Sequence, residues 1–439
     1  MSEGRGEQGS GRRAHPSKGT AQGDARTDDR SGAEAPRGTA RVLAINTGSS
    51  SLKAAVYRPA APSELERAVF GVLVDRIGAG PARLRVSDAS GAVRIERDVE
   101  APDFEAALHL LRDALLEVDP QHRLCAIGHR LVHGGSRFER PVLIGADTLD
   151  ALDALVPLAP EHMPQALIAV RHFARAAPAV PQVACFDTTF HRTLPLVAQT
   201  ISLPRDYREQ GFVRYGFHGL SYESAVTALR ALDAGAADGR LVVLHLGNGA
   251  SMAAIRDGRS IDTTMGYTPT SGLMMGTRSG DIDPGVLIEL MRRGMSADEI
   301  AVLLNERSGL LGVSGMSGDM RDLLAASATD PRAGEAIDLF VYRAQKYLGA
   351  FASVLGGIDT IVFTGGIGEK SAVIRARICA GQSHLGIALD DAANAMHAVV
   401  VSAFGVAVTV RVISADEEAV IARHTLAQVA SRQPETAVA

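Results

Sequence analysis

The sequence predicts an α/β protein with mixed strand pairing, built as two like lobes on either side of a cleft. From Ala40 onward, short apolar strand-like runs alternate with longer helical stretches. A strand, Gly-rich turn, strand unit at "RVLAINTGSSSLKAAVY" returns about 200 residues later as "LVVLHLGNGASMAAIRDG", which points to duplication rather than a short repeat. The length of 439 residues is long for a single core and suggests about two domains.

Taken in order, "RVLAIN" and "LKAAVY" read as strands joined by a polar turn, and "DFEAALHLLRDALLE" as an amphipathic helix. "LCAIGHRLVHGG" and "VPQVACFDTTF" read as strands ending in polar residues. The helical stretch 333–355 leads into the strand "DTIVFTGGIGE", and a terminal helix is expected to begin near Ser414. Residues 1–40 contain no Val, Ile, Leu or aromatic residue. Such a segment cannot bury enough apolar area to offset its ordering entropy, so it is expected to be a disordered tail. Its acidic residues, and the lack of an apolar stretch after Arg12-Arg13, argue against a targeting signal.

Hydrophobic residues at 46% and charged residues at 22% suit a soluble globular enzyme. A net charge of -5 gives no reason to expect nucleic acid or an anionic membrane as partner. No apolar run approaches the roughly 18 residues of a membrane-spanning helix. Cys125, Cys185 and Cys379 are isolated, which fits neither a zinc site nor a disulfide framework and favours a reducing cytoplasm.

The stretch "INTGSSSLK" invites a P-loop reading and fails it. Gly48 is followed by Ser49, Ser50, Ser51, Leu52 and Lys53 with no second glycine, and then by a strand former rather than a helix. A turn between strands can still aim backbone N–H groups, hydroxyls and an ammonium at phosphate oxygens. Taken alone, the stretch reads more readily as a solvated hairpin turn. Two further Gly-rich turns, "HLGNGAS" (residues 245–251) and "FTGGIGEKS" (residues 363–371), make a nucleotide held across a cleft the better account.

Alternation along "AIGHRLVHGG" puts Arg130 and Val132 on one face, as a short carboxylic acid requires: a guanidinium for its carboxylate and a small apolar group for its alkyl end. A structural ion pair would also account for Arg130. In "RYGFHGLSY", glycines flank Phe217-His218 and let the chain present the imidazole, although a lone histidine is more often structural. Arg278 sits in the irregular segment "MGTRSGDIDPG" with no helix face to solvate. Asp187 ends an apolar strand, a usual place for a catalytic carboxylate and also for an Asx turn. Glu417 has the S-x-x-E spacing of a capping box from Ser414, and the same tetrapeptide "SADE" occurs at 296–299. Spacing alone favours the capping role.

Together these motifs resemble the acetokinase (acetate kinase) family. The matching stretches are "INTGSSSLK", "GHRLVHGG", "FDTTFH", "RYGFHG", "HLGNG", "MGTRSGDIDPG", "SGLLGVSG", "FTGGIGE" and "ISADEEAVIAR", in the family's order over about residues 41–425. The resemblance implies an actin-like (ribonuclease H-like) two-lobed fold and a homodimer. It places residues 41–187 with about 418–433 in one lobe, and 188–417 in a nucleotide-binding, dimerising lobe. It implies reversible transfer from ATP to acetate, giving ADP and acetyl phosphate, with Mg²⁺ (or Mn²⁺) held by Asn46 and Glu417. Asp187, His218 and Arg278 match the catalytic positions; Arg130, Val132, His162, Phe217 and Pro269 match the carboxylate pocket. Nucleotide contacts are implied for Ser49, Ser51 and Lys53, for His245, Leu246, Gly247, Asn248 and Gly249, and for Asp319, Met320 and Arg321. Gly366, Ile367, Gly368, Glu369 and Lys370 complete that set.

Some positions depart from the family's pattern. Glu161 precedes His162 in "APEHMP", where the family usually has a leucine that lines the alkyl pocket. An unpaired buried carboxylate there would cost several kcal/mol and repel an anionic substrate. Tyr222 replaces a common histidine, "TPTSG" stands for "TPLEG", and Lys370 replaces an asparagine.

A short carboxylic acid has a pKa near that of Glu, about 4.3, so the nucleophile is ionised at neutral pH and needs no general base. Asp187 is then better read as orienting a metal or water. The difficulty is bringing two anions together, about 4 kcal/mol at 4 Å for an effective dielectric near 20. Arg130, Arg278, Lys53 and Mg²⁺ can offset it, which suits direct in-line transfer. The competing readings are a propionate or butyrate kinase, and a non-catalytic actin-like ATP-binding protein. The second would have no need of Arg130, His218 and Arg278.

Overall fold

The computed structural model describes residues 40–61, 64–121 and 123–431, which form one compact unit. The expected tail lies outside the described residues except for Ala40, which opens the first strand. Among the described residues the strands make two mixed sheets. The first has eight: β1 (Ala40–Thr47), β2 (Ser51–Ala61), β3 (Glu64–Asp75), β4 (Ala82–Asp88), β5 (Val93–Val99), β6 (Arg123–Leu131), β7 (Val142–Leu143) and β8 (Gln182–Phe186). Helix α1 (Phe104–Val118) precedes β6, and α2 (Met163–Ala176) precedes β8. The second sheet has five: β9 (Leu241–Leu246), β10 (Ala250–Arg256), β11 (Arg259–Thr263), β12 (Thr360–Thr364) and β13 (Thr409–Val412).

The expected duplication is visible in the strand order. The first sheet runs β5-β4-β3-β2-β1-β6-β8-β7 and the second β11-β10-β9-β12-β13. In the stretch β3-β2-β1-β6-β8 an antiparallel meander is followed by two strands parallel to β1. The second sheet repeats that order and those senses. The turn after Asn46 and the turn after Leu246 therefore occupy equivalent places in the two halves.

The central strands of each sheet are covered on both faces and are therefore largely apolar, whereas β4 alternates buried and exposed residues and β5 is largely exposed. Leu43 and Ile45 face a core shared with Phe104, Leu108 and Leu111 of α1 and Phe173 of α2. Val42 and Ala44 point the other way, toward Val420, Ile421 and Leu426 of the terminal helix. Gly128 permits that close approach. A Cβ there would lie 2.1 Å from Thr425 Oγ1 and 2.6 Å from Ile421 Cγ2.

In the second half, α3 (Gly219–Leu232) covers one face through Tyr222, Ala225 and Leu229. Next along the chain come α4 (Pro284–Arg292), α5 (Ala297–Glu306), α6 (Met320–Ala326), α7 (Pro331–Leu355) and α8 (Gly365–Lys370). Helix α7 fills the opposite face with Phe340, Leu348 and Phe351. The terminal helix α9 (Glu417–Ala430) packs on β1, β6 and β8 and also against α3.

Two expectations from local pattern are corrected. Strand β6 stops at Leu131, so strand alternation does not extend to Val132. Helix α9 begins at Glu417, three residues after Ser414, and its cap is Asp416, whose carboxylate accepts from Ala419 N. The "SADE" at 296–299 is a real capping box, with Ser296 and Glu299 bonded reciprocally. At 414–417 the serine hydroxyl instead donates to Glu369 Oε2 at 2.7 Å.

Candidate active site

Glu417, released from a capping role, meets Asn46 from the other end of the chain. Asn46 Nδ2 donates to Glu417 Oε2 at 2.9 Å and to Glu418 Oε1 at 3.0 Å. Its Oδ1 accepts from Arg130 Nη1 at 2.9 Å. The rest of the Arg130 fork holds Asp187, Nε to Oδ1 at 3.0 Å and Nη2 to Oδ2 at 2.6 Å. Of the five guanidinium N–H groups three are thus used, leaving two to donate. The Asx turn considered for Asp187 is not formed; its carboxylate is committed to Arg130.

This cluster is strongly electrostatic. Burial pushes the Asp187 carboxyl up against the pull of Arg130, with Glu417 adding to the rise. Glu418 is raised by burial and then by Glu417. Burial also opposes ionisation of Glu417, but Arg130 leads a set of positive neighbours, Lys53 among them, that holds it below the usual range. Desolvation alone would lower Arg130; Asp187 and Glu417 more than reverse it. Three enclosed carboxylates beside one arginine and one lysine carry excess negative charge. Their oxygen donors suit a hard divalent cation such as Mg²⁺ or Mn²⁺.

A cationic face lies across from it. Arg278 donates Nη1 to the Pro269 carbonyl at 3.1 Å and Nη2 to His162 Nε2 at 3.0 Å, and forms no salt bridge among the described residues. Burial lowers its pKa, opposed by Glu161. His162 is pushed down to about 3 by burial and then by Arg278 and Arg130, so it is a neutral acceptor. His218 holds a left-handed backbone (φ 59°) at the cap of α3, where its flanking glycines let the chain turn. Burial, then His245 and the two arginines, drive its pKa well below the ordinary value. The ring is neutral, stacks on His245 at 4.3 Å, and has Nδ1 fixed by Ser251 Oγ at 2.8 Å. Tyr222, the departure from the family pattern, bonds that same hydroxyl.

Gly249 ties the Gly-rich turn to this face. A Cβ there would lie 3.3 Å from His218 Nε2 and 3.9 Å from Arg278 Nη1. Val132 and Phe217 are buried in one apolar cluster with Ala159 and Met163. Glu161 is half-buried, its carboxyl raised by burial, lowered by Arg278 and raised by Glu306 of α5.

A separate cavity of about 650 Å³ is lined by Gly247, Asn248, Asp319, Met320, Arg321, Gly366, Ile367 and Lys370, all expected from the sequence. Ser50, in the turn between β1 and β2, and Asp75, at the end of β3, also line it. Gly366 is open, with nothing near an added Cβ. Other members of the expected set stand back. Leu246 and Gly368 are buried, Glu369 turns its carboxylate onto Gly365 N at 3.0 Å, and Ser49 and Lys53 are exposed on or beside the first turn. His245 is held by Ser221 Oγ at 2.7 Å. Sequence reasoning missed Glu418, Ser251 and Ser221. Register offered a signal for one of them, since Ser251 is the strand partner of His245.

Two like sheets, Gly-rich turns at equivalent places and a set of converging charges define a two-lobed, actin-like phosphotransferase. The Acetokinase family model matches residues 41–423. The acetate kinase of Methylocella silvestris is 46% identical over 396 residues, spanning 88% of this chain and 97% of that protein. That of Rhodopseudomonas palustris strain CGA009 is 45% identical over 388 residues, 87% and 97% of the two chains. The crystal structure of Porphyromonas gingivalis acetate kinase superposes with a TM-score of 0.76 at 36% identity, covering 89% of this chain and all of that one, 100%. A propionate kinase from Francisella tularensis gives 0.80 at 34% identity, covering 88% and 99%. The chain belongs to the acetokinase family, phosphotransferases with a carboxylate acceptor.

Proposed function

We propose that this chain transfers the γ-phosphoryl group of ATP to acetate, reversibly, by direct in-line displacement. Eight curated relatives at 42–46% identity carry the name acetate kinase, which favours acetate over propionate or butyrate. The observation that carries the reading is Arg278. A partly buried guanidinium held by neutral acceptors, with no carboxylate salt-bridged to it among the described residues, is a charge kept for an incoming anion. Nucleotide binding alone has no use for it.

In this reading the 650 Å³ cavity takes the adenine nucleotide, with phosphates directed to the turns at Ser49–Lys53 and His245–Gly249. Asn46 and Glu417, joined by Glu418, would hold Mg²⁺ or Mn²⁺, whose chemistry there would be to screen phosphate charge. Arg130 offers its two remaining N–H groups to the acetate carboxylate, and Val132, Phe217, His162 and Pro269 shape the pocket around it. Asp187 orients Arg130 and the metal side. Neutral His218 donates to the transferring group, its tautomer set by Ser251. The boundary between lobes is placed after Asp187, with α9 returning to the first sheet. Trapping acyl phosphate with hydroxylamine, with and without ATP and across C2 to C4 acids, tests the proposal. No hydroxamate from any acid would remove it, and a higher kcat/KM for C3 or C4 would reassign the substrate.

Glu161 gives a sharper expectation. Its negative charge repels an acetate anion and offsets Arg278. Glu161→Gln should lower the KM for acetate about fivefold, the worth of about 1 kcal/mol of screened repulsion. Because burial raises the Glu161 carboxyl, the charge is present at high pH and lost as pH falls through its raised pKa. The gain should therefore be largest near pH 8 and shrink on acidification. An equal ratio of KM values at both ends of the range would show that Glu161 does not face the acceptor.

The assembly is proposed to be a homodimer. Helix α4 has no buried residue, and Val286, Ile288 and Met291 are 45%, 49% and 54% exposed. Light scattering should give twice the chain mass for the wild type and the single mass for Ile288→Glu. A monomeric wild type rejects the proposal.

A further inference from the structure

We propose that Glu105, His109 and His172 form a second metal site, for Zn²⁺ or a similar borderline transition cation, that clasps α1 to α2. Glu105 and His109 are one turn apart on α1, at i and i+4, and so share a face. His172 comes from α2, which packs on that face. One ligand atom from each lies within 4.8 Å of the others. His172 Nδ1 is 3.2 Å from Glu105 Oε1, and the His109 and His172 rings meet edge to face at 5.2 Å.

An ion pair between helices is the competing account. Arg175 Nη2 lies 2.9 Å from the same Glu105 oxygen, and its side chain is 64% exposed. That account explains Glu105, His172 and Arg175 but leaves His109 idle. His109 is exposed and makes no hydrogen bond or ion pair among the described residues, yet its ring is brought against His172. An unused imidazole beside a second imidazole and a carboxylate is the donor set of a three-ligand zinc site, with water completing the shell. The exposed Arg175 head can swing into solvent to release the carboxylate.

The chemistry separates this site from the oxygen-rich one at Asn46 and Glu417, because imidazole nitrogen favours Zn²⁺ or Co²⁺ over Mg²⁺. None of its three residues takes part in phosphoryl transfer. The full chain, stripped with chelator and free of Mg²⁺, is titrated with Zn²⁺ by thermal unfolding and with Co²⁺ by visible absorption. Zn²⁺ at about a hundredfold above Kd should raise Tm by about 3 °C. The Co²⁺ form should show d–d bands. His109→Ala should lose both, while keeping its metal-free Tm and its activity with Mg²⁺ and ATP. His109→Asn serves as a second variant at the same exposed position. A wild-type chain without a shift, or His109 variants that keep the shift and the cobalt bands, would overturn the proposal.

Discussion

Arg278→Ala is expected to lower kcat by about two orders of magnitude or more, the scale seen when one donor to a developing charge is removed. Nucleotide affinity, measured by binding titration, should stay nearly unchanged, because Arg278 is not among the residues lining the large cavity. Stability adds an independent check. The guanidinium is partly buried with no carboxylate salt-bridged to it among the described residues, so the free protein bears a desolvation cost that alanine removes. Tm should hold or rise. A variant that loses nucleotide affinity in step with kcat, or that unfolds early, would mean that Arg278 is structural.

Arg130→Ala should act on both stability and catalysis. It leaves Asp187 buried without its partner, and breaking a buried pair typically costs about 3–5 kcal/mol. It should also raise the KM for acetate far more than that for ATP. The loss of stability has a definite pH sign. In the variant the Asp187 carboxyl sits well above its unfolded value of about 3.9, since burial remains and the counter-charge is gone. The penalty is therefore absent below the unfolded pKa and grows as pH rises through the folded one. Unfolding of wild type and variant compared from pH 4 to 8 reads this directly. A difference in Tm that does not widen with pH would exclude an uncompensated Asp187.

The two "SADE" tetrapeptides show where local reading succeeds and where it stops. At 296–299 the chain has no competing partner, and Ser296 and Glu299 close the capping box that spacing predicts. At 414–417 the same letters are pulled apart. Ser414 turns to Glu369, Asp416 caps the helix, and Glu417 turns to Asn46, 371 residues away. Arg130 is a similar case. Strand alternation gives its face, but only the arrival of Asp187 and Asn46 shows that three of its five donors are already used. Val132 lies past the end of its strand and takes its place from the apolar cluster around Phe217.

Beyond the candidate residues, most of which came from the motifs' resemblance to the acetokinase family, the sequence by itself determined the alternation of strands and helices, the duplicated hairpin units and the three Gly-rich turns. These depend on short-range periodicity and turn chemistry, which a few neighbouring residues settle. Only the tertiary structure decided charge and partnership: that His218 is neutral, that Arg278 stands without a carboxylate, that Glu161 is half-buried near it, and that Glu418 joins Glu417. Burial and counter-charge set those properties, and both come from residues distant along the chain that the fold alone brings together.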